Sequence, residues 1–127
     1  MNKTITTIGR IIFALPMLAF GLMHFTSAAM MAQYVVPKWM PAPEILVYLT
    51  GTLLIGSAIA ISINKFAHFA GLALAAFMLI LVATVQIPGT MNADPMMAQM
   101  AMSGMLKDTA IMGAGLMIFG FYRPATA

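Results

Sequence analysis

Four long apolar stretches occupy most of this 127-residue chain, and the few groups able to do chemistry lie where those stretches end or begin. A helix rises about 1.5 Å per residue, so roughly 20 apolar residues cross a hydrocarbon layer of about 30 Å. The stretches fall at about residues 8–29, 43–63, 66–87 and 104–122. The expectation is an all-α, polytopic membrane protein: a single domain forming an antiparallel four-transmembrane-helix bundle whose first partner is the lipid bilayer.

Composition supports that class and removes others. Hydrophobic residues make up 62% and charged residues 7% of the chain, far from the roughly 25% charged content of soluble domains. The net charge of +3 comes from six Lys and Arg spread singly. With no basic run to grip a phosphate backbone, nucleic acid is not an expected partner. The absence of Cys removes disulfides, thiolate metal sites and iron–sulfur clusters.

The breakers organise the rest. Only Asn64 and Lys65 interrupt the pattern between the second and third spans, which predicts a tight antiparallel hairpin. Residues 30–42 carry Pro37, Trp39 and Pro41, and residues 88–103 carry Gly89, Asp94 and Pro95. Both read as interfacial segments, because Trp39 and Tyr34 are of the types that prefer the headgroup level. Asp94 as N-cap and Pro95 as first residue predict a short interfacial helix over about residues 95–102.

Basic residues orient such a bundle. Lys3, Arg10, Lys65 and Arg123 share one side with no acid, whereas Lys38 and Lys107 share the other with Glu44, Asp94 and Asp108. That bias favours both termini in the cytoplasm, as in a bacterial inner membrane. Lys3, the apolar residues 11–25 and the small residues Ser27, Ala28 and Ala29 also resemble a secretory signal, the alternative for this segment.

Small residues at four-residue spacing allow close backbone approach in lipid. Thr52, Gly56 and Ala60 form one such stripe, Ala67, Gly71 and Ala75 another, and the hairpin is expected to bring these two face to face. Ala110 and Ala114, with Gly113 nearby, offer a third.

The polar residues at span ends are the candidate site. Ionisable groups in membrane segments are functional candidates because hydrocarbon cannot solvate them. His24 ends the first span; Glu44, with Tyr48 on its face, opens the second; Gln86 ends the third; Lys107 and Asp108 begin the fourth. All are expected at the outer level. Lys107 and Asp108 are adjacent, about 100° apart on a helix, and are not expected to pair. Lys107 is expected to meet Glu44, and Asp108 to meet His24 or backbone amides. Such pairs also serve as plain ties between helices, and an acid after Pro43 is an ordinary helix start. A His beside a carboxylate suits a proton relay. His24 and His68 fall at opposite membrane faces, which argues against a shared haem.

Methionine is abundant, with 15 in the chain, many in the outward connections. Met96, Met97 and Met100 share one side of the expected short helix, and thioether sulfur suits copper(I). The plainer reading is an adaptable apolar filler in a helix lying at the interface.

The segment Gly9-Arg10-Ile11-Ile12-Phe13, with Phe20-Gly21-Leu22-Met23-His24-Phe25, resembles the first helix of the DoxX family of small four-helix membrane proteins. Residues 44–51 and 105–113 are similar to its second and fourth helices. Many members carry a Lys where this chain has His24. The resemblance implies a small or accessory subunit of a membrane redox system, at most part of a quinone-linked oxidoreductase. Its outer pocket, lined by His24, Glu44, Tyr48, Gln86, Lys107 and Asp108, would take a quinone head or small anion. The rival expectations are a non-catalytic assembly protein that docks a larger enzyme or a second copy of itself, and copper(I) binding by the Met segment.

Overall fold

The computed structural model describes residues 2–122, so Arg123 of the orientation count lies outside the described residues. Regular structure among them is entirely helical: α1 (Lys3–Thr26), α2 (Ala28–Tyr34), α3 (Pro43–Ile63), α4 (Ala67–Leu81), a π-helical turn (Val82–Gln86), α5 (Ile87–Gly89) and α6 (Pro95–Tyr122). Counting α4 through α5 as one run, four helices are long and apolar enough to cross a membrane.

Local chemistry explains the boundaries. Asn2 caps α1, its side-chain oxygen accepting from the amides of Thr4 and Ile5, so the helix starts earlier than the apolar pattern does. At the C-terminal end of α3, Asn64 adopts a left-handed conformation (φ 55°), and the Lys65 amide folds back onto the Ala60 carbonyl. That arrangement satisfies carbonyls left open at a helix end and turns the chain within two residues. Ala42 (φ 47°) and Phe66 (φ 59°) are left-handed as well, a conformation that strains a side chain with a Cβ.

Two elements differ from expectation. The separate short helix over residues 95–102 and the span over 104–122 are one 28-residue helix, α6. The third span runs on past Pro88 to Gly89. Pro88 has no amide to give the carbonyl four residues back. The chain absorbs this by widening: the Ile87 amide donates to the Val82 carbonyl, five residues back.

Packing runs in a row, α1 on α3, α3 on α4 and α4 on α6, with α2 lying over α3. Leu54, Ile61, Leu74, Met78 and Met17 form the shared core. Glycines set two of the approaches: a Cβ on Gly21 would stand 3.0 Å from the Gly51 carbonyl, and one on Gly71 would stand 2.6 Å from the Gly115 carbonyl. The stripe of Ala67, Gly71 and Ala75 is buried, but its partner is α6 and not the α3 stripe. Gly56 of that α3 stripe faces open space.

Candidate functional site

The π-helical turn rotates Gln86 toward α6. There its Nε2 donates to Asp108 Oδ2 at 2.9 Å. Gly104, one turn before Asp108, makes room: a Cβ at Gly104 would stand 2.6 Å from Gln86 Nε2. Asp108 is 3% exposed, and its other oxygen, Oδ1, lies 3.7 Å from Lys107 Nζ. The ammonium also sits 4.6 Å above the centre of the Phe20 ring of α1. Gln86, Asp108 and Lys107 thus form one connected unit resting on Phe20, with the buried carboxylate both hydrogen-bonded and offset in charge.

This corrects the expected pairings. Lys107 does pair with its neighbour Asp108, because its four-carbon stem reaches around the 100° that separates adjacent residues. Glu44 is exposed in the first turn of α3, a helix whose backbone does not approach that of α6. Asp108 meets Gln86 rather than His24. Tyr48 is on an exposed face and stacks on Phe25, ring centres 5.5 Å apart.

His24 belongs to a different place. Its Nδ1 lies 2.6 Å from the Phe20 carbonyl. A carbonyl oxygen only accepts, so Nδ1 carries the hydrogen, and in the neutral ring Nε2 is then an acceptor. The ring lines a largely apolar cavity of about 240 Å³, shared with Met31, Val47, Thr50, Phe77 and Thr84. Both threonine hydroxyls donate to carbonyls of their own helices, Thr50 to Leu46 at 2.8 Å and Thr84 to Ile80 at 2.7 Å. With those hydrogens engaged, the oxygens of Thr50 and Thr84 keep only acceptor capacity. A second cavity, about 570 Å³, shares Val35, Val36, Pro37, Thr84 and Val85 with the first and reaches Gln86 and Trp39.

The expected single cluster is thus three separate groupings: His24 in its cavity, the Gln86–Asp108–Lys107 unit, and Glu44 with Tyr48 on the outside. Sequence reasoning missed Phe20, Thr50, Thr84 and the wall made by residues 35–37. Phe20 was legible in one respect, standing one helical turn before His24. Met96 and Met100 line one surface cavity and Met97 and Met100 another, so the three thioethers do not share one. Among the described residues no group of three His, Cys, Asp or Glu is placed to hold a metal ion.

These features define a class: an all-helical chain with four helices able to cross a membrane and polar side chains gathered near helix ends. The family model described as Domain of unknown function (DUF8561) matches residues 13–112. The chain belongs to that family. The match overturns the DoxX resemblance, which rested on short runs of common apolar residues. No curated protein and no solved structure matches the chain.

Proposed function

We propose that this chain is a polytopic membrane protein, an antiparallel four-helix bundle, that binds the hydroxylated ring of a quinol-like amphiphile in the cavity beside His24. The membrane reading is supported by the four apolar helices and by glycine-mediated backbone contacts, the usual means of helix association in lipid. Contacts that climb α1 from Gly21 to His24 while meeting α3 at Ile55 and then Gly51 support antiparallel packing of those two helices. Among described residues, Lys3, Arg10 and Lys65 lie on the side assigned to the termini and Lys38 and Lys107 on the other. That bias favours termini in the cytoplasm of a bacterial inner membrane.

The observation that carries the ligand is the hydrogen bond from His24 Nδ1 to the Phe20 carbonyl. With Nδ1 engaged there, the polar atoms left on these lining residues, Nε2 of the neutral His24 ring and the hydroxyl oxygens of Thr50 and Thr84, are acceptors. Such a lining suits a ring that donates, a quinol hydroxyl, over one that only accepts. A cavity of about 150 Å³ holds a benzene ring, so about 240 Å³ suits a substituted one. Lys107, already offset by Asp108, offers a free anion little, and the ligand head is placed at His24. Quinol binding would make the chain an accessory of a membrane redox system.

The chain's single Trp, Trp39, borders the adjoining cavity and reports occupancy. A short-chain benzoquinol should quench its fluorescence saturably in purified protein, and His24→Leu should weaken that binding. Equal quenching of wild type and variant, or none in either, sinks the reading.

A second reading is a non-catalytic assembly protein. The open face at Gly56, beside exposed Thr52, favours packing against another helix, of a second copy or of a larger enzyme. Cross-linking through cysteines placed at Thr52 tests it, and a monomer in lipid with no co-purifying protein removes it. A third proposal is copper(I) at Met96, Met97 and Met100, of which Met100 borders both surface cavities. Protein that binds no copper under reducing conditions ends it.

A further inference from the structure

α1 and α6, the two ends of the packing row, do not touch through their backbones. Between them runs a groove of about 540 Å³. Its walls are Gly9 and Phe13 of α1 and Ala114, Met117 and Ile118 of α6, and at one end stand Arg10 and Tyr122. Arg10 Nη1 donates to the Tyr122 hydroxyl at 3.2 Å, and the guanidinium carbon lies 5.5 Å from the centre of that ring. Arg10 Nε is buried and bonds to nothing among the described residues. No acid of the described chain pairs with this cation either. The acids of the sequence are Glu44, Asp94 and Asp108, and the ion pair the described residues do form, Lys107 with Asp108, is elsewhere. A cation held beside an apolar groove without a countercharge is costly in a membrane.

We infer that this groove binds an anionic phospholipid, its phosphodiester at Arg10 and Tyr122 and one acyl chain along Phe13, Ala114 and Met117. The phosphodiester supplies both a countercharge and acceptor oxygens for the guanidinium, the geometry in which Arg outperforms Lys. The side chains run the right way for an amphiphile. Polar Thr6, Arg10 and Tyr122 stand toward the chain ends of α1 and α6, and the apolar wall extends from them toward the middle of both helices. Lys3 stands nearby in sequence and adds positive charge at that end. Gly9 lines the groove, and a Cβ there would stand in open space, so a larger side chain has room to grow beside it.

The inference rests on the membrane reading and is independent of the quinol site. Its test is native mass spectrometry of the full chain released from nanodiscs of phosphatidylcholine containing phosphatidylglycerol. Wild type should retain phosphatidylglycerol in preference to phosphatidylcholine. Arg10→Gln should lose about a tenfold preference, the scale of one charge-assisted hydrogen bond, and Arg10→Lys should recover part of it. Gly9→Leu keeps the charge but fills the groove, and should lower retention of the lipid even if Arg10→Gln fails to fold. Equal retention of the two lipids by wild type overturns the inference, as does a preference unchanged in Gly9→Leu. Displacement by inorganic phosphate at matching affinity, or a groove covered by a second copy of the chain, overturns it too. Protein that stays in solution without detergent and never enters a nanodisc defeats the membrane reading itself, a result distinct from all of these.

Discussion

Gln86 and Asp108 are joined by a 2.9 Å hydrogen bond between helices that also pack through Gly71 and Gly115. The amide stands beside the one carboxylate buried among the described residues, so each partner satisfies a group that would be expensive alone.

Removing one member should therefore hurt more than removing both. Asp108→Leu leaves Gln86 Nε2 without its acceptor and should lower stability by roughly 1–3 kcal/mol. The double variant Gln86→Leu with Asp108→Leu should recover much of that loss, because a buried polar pair replaced by apolar groups is often neutral. Thermal unfolding in detergent of the two singles and the double gives the coupling; additive losses would show that the bond does not tie the helices.

Pro88 should matter through Gln86. With Pro88→Ala the Thr84 carbonyl regains an amide partner and the π-helical turn can relax to an α-helix, which rotates Gln86 by about 100° relative to the residues after it. The expected outcome is loss of the Asp108 contact, seen as a Pro88→Ala effect that vanishes in a Gln86→Leu background. A full-sized effect in both backgrounds would place the role of Pro88 elsewhere.

The glycines should rank by what an added methyl meets. Gly71→Ala drives a Cβ to 2.6 Å from the Gly115 carbonyl, a backbone atom that cannot step aside, and overpacking of this kind costs about 1–3 kcal/mol. Gly104→Ala meets the end of the Gln86 side chain at the same distance. That side chain can swing away, so the loss should be smaller and should come with the Asp108 bond. Gly113→Ala meets nothing within 4 Å and should be neutral or slightly stabilising. Melting temperatures of the three variants check the order.

Ala42 holds a left-handed conformation immediately before α3, φ 47°. Ala42→Gly removes the Cβ strain, worth roughly 1–2 kcal/mol in that region, less the greater freedom glycine has when unfolded. A small net rise in melting temperature is expected, whereas Ala42→Val should lower it clearly.

Much of the helical frame was legible in residue order. Asn64 and Lys65 marked a turn because they alone interrupt the apolar pattern there, and the apolar windows marked helices because hydropathy over about 20 residues is a local property. The candidate site was legible only as a set of types at helix ends. The pairing of Lys107 with Glu44 failed because it presumed that α3 and α6 adjoin. Their separation follows from the order of packing, which Gly71 and Gly115 help to set. Gln86 could be placed two residues before Pro88, but not which way it would face, since the π-helical turn changes the register by a residue.

The residue order by itself determined that this chain makes four long apolar helices with its polar groups near their ends, because each of those properties is summed over neighbours in the chain. Which groups meet was decided by the tertiary structure alone. Gln86 reaches Asp108 across 22 positions and Arg10 reaches Tyr122 across 112, and such contacts depend on helix order, on glycines that let backbones approach, and on one turn widened around a proline.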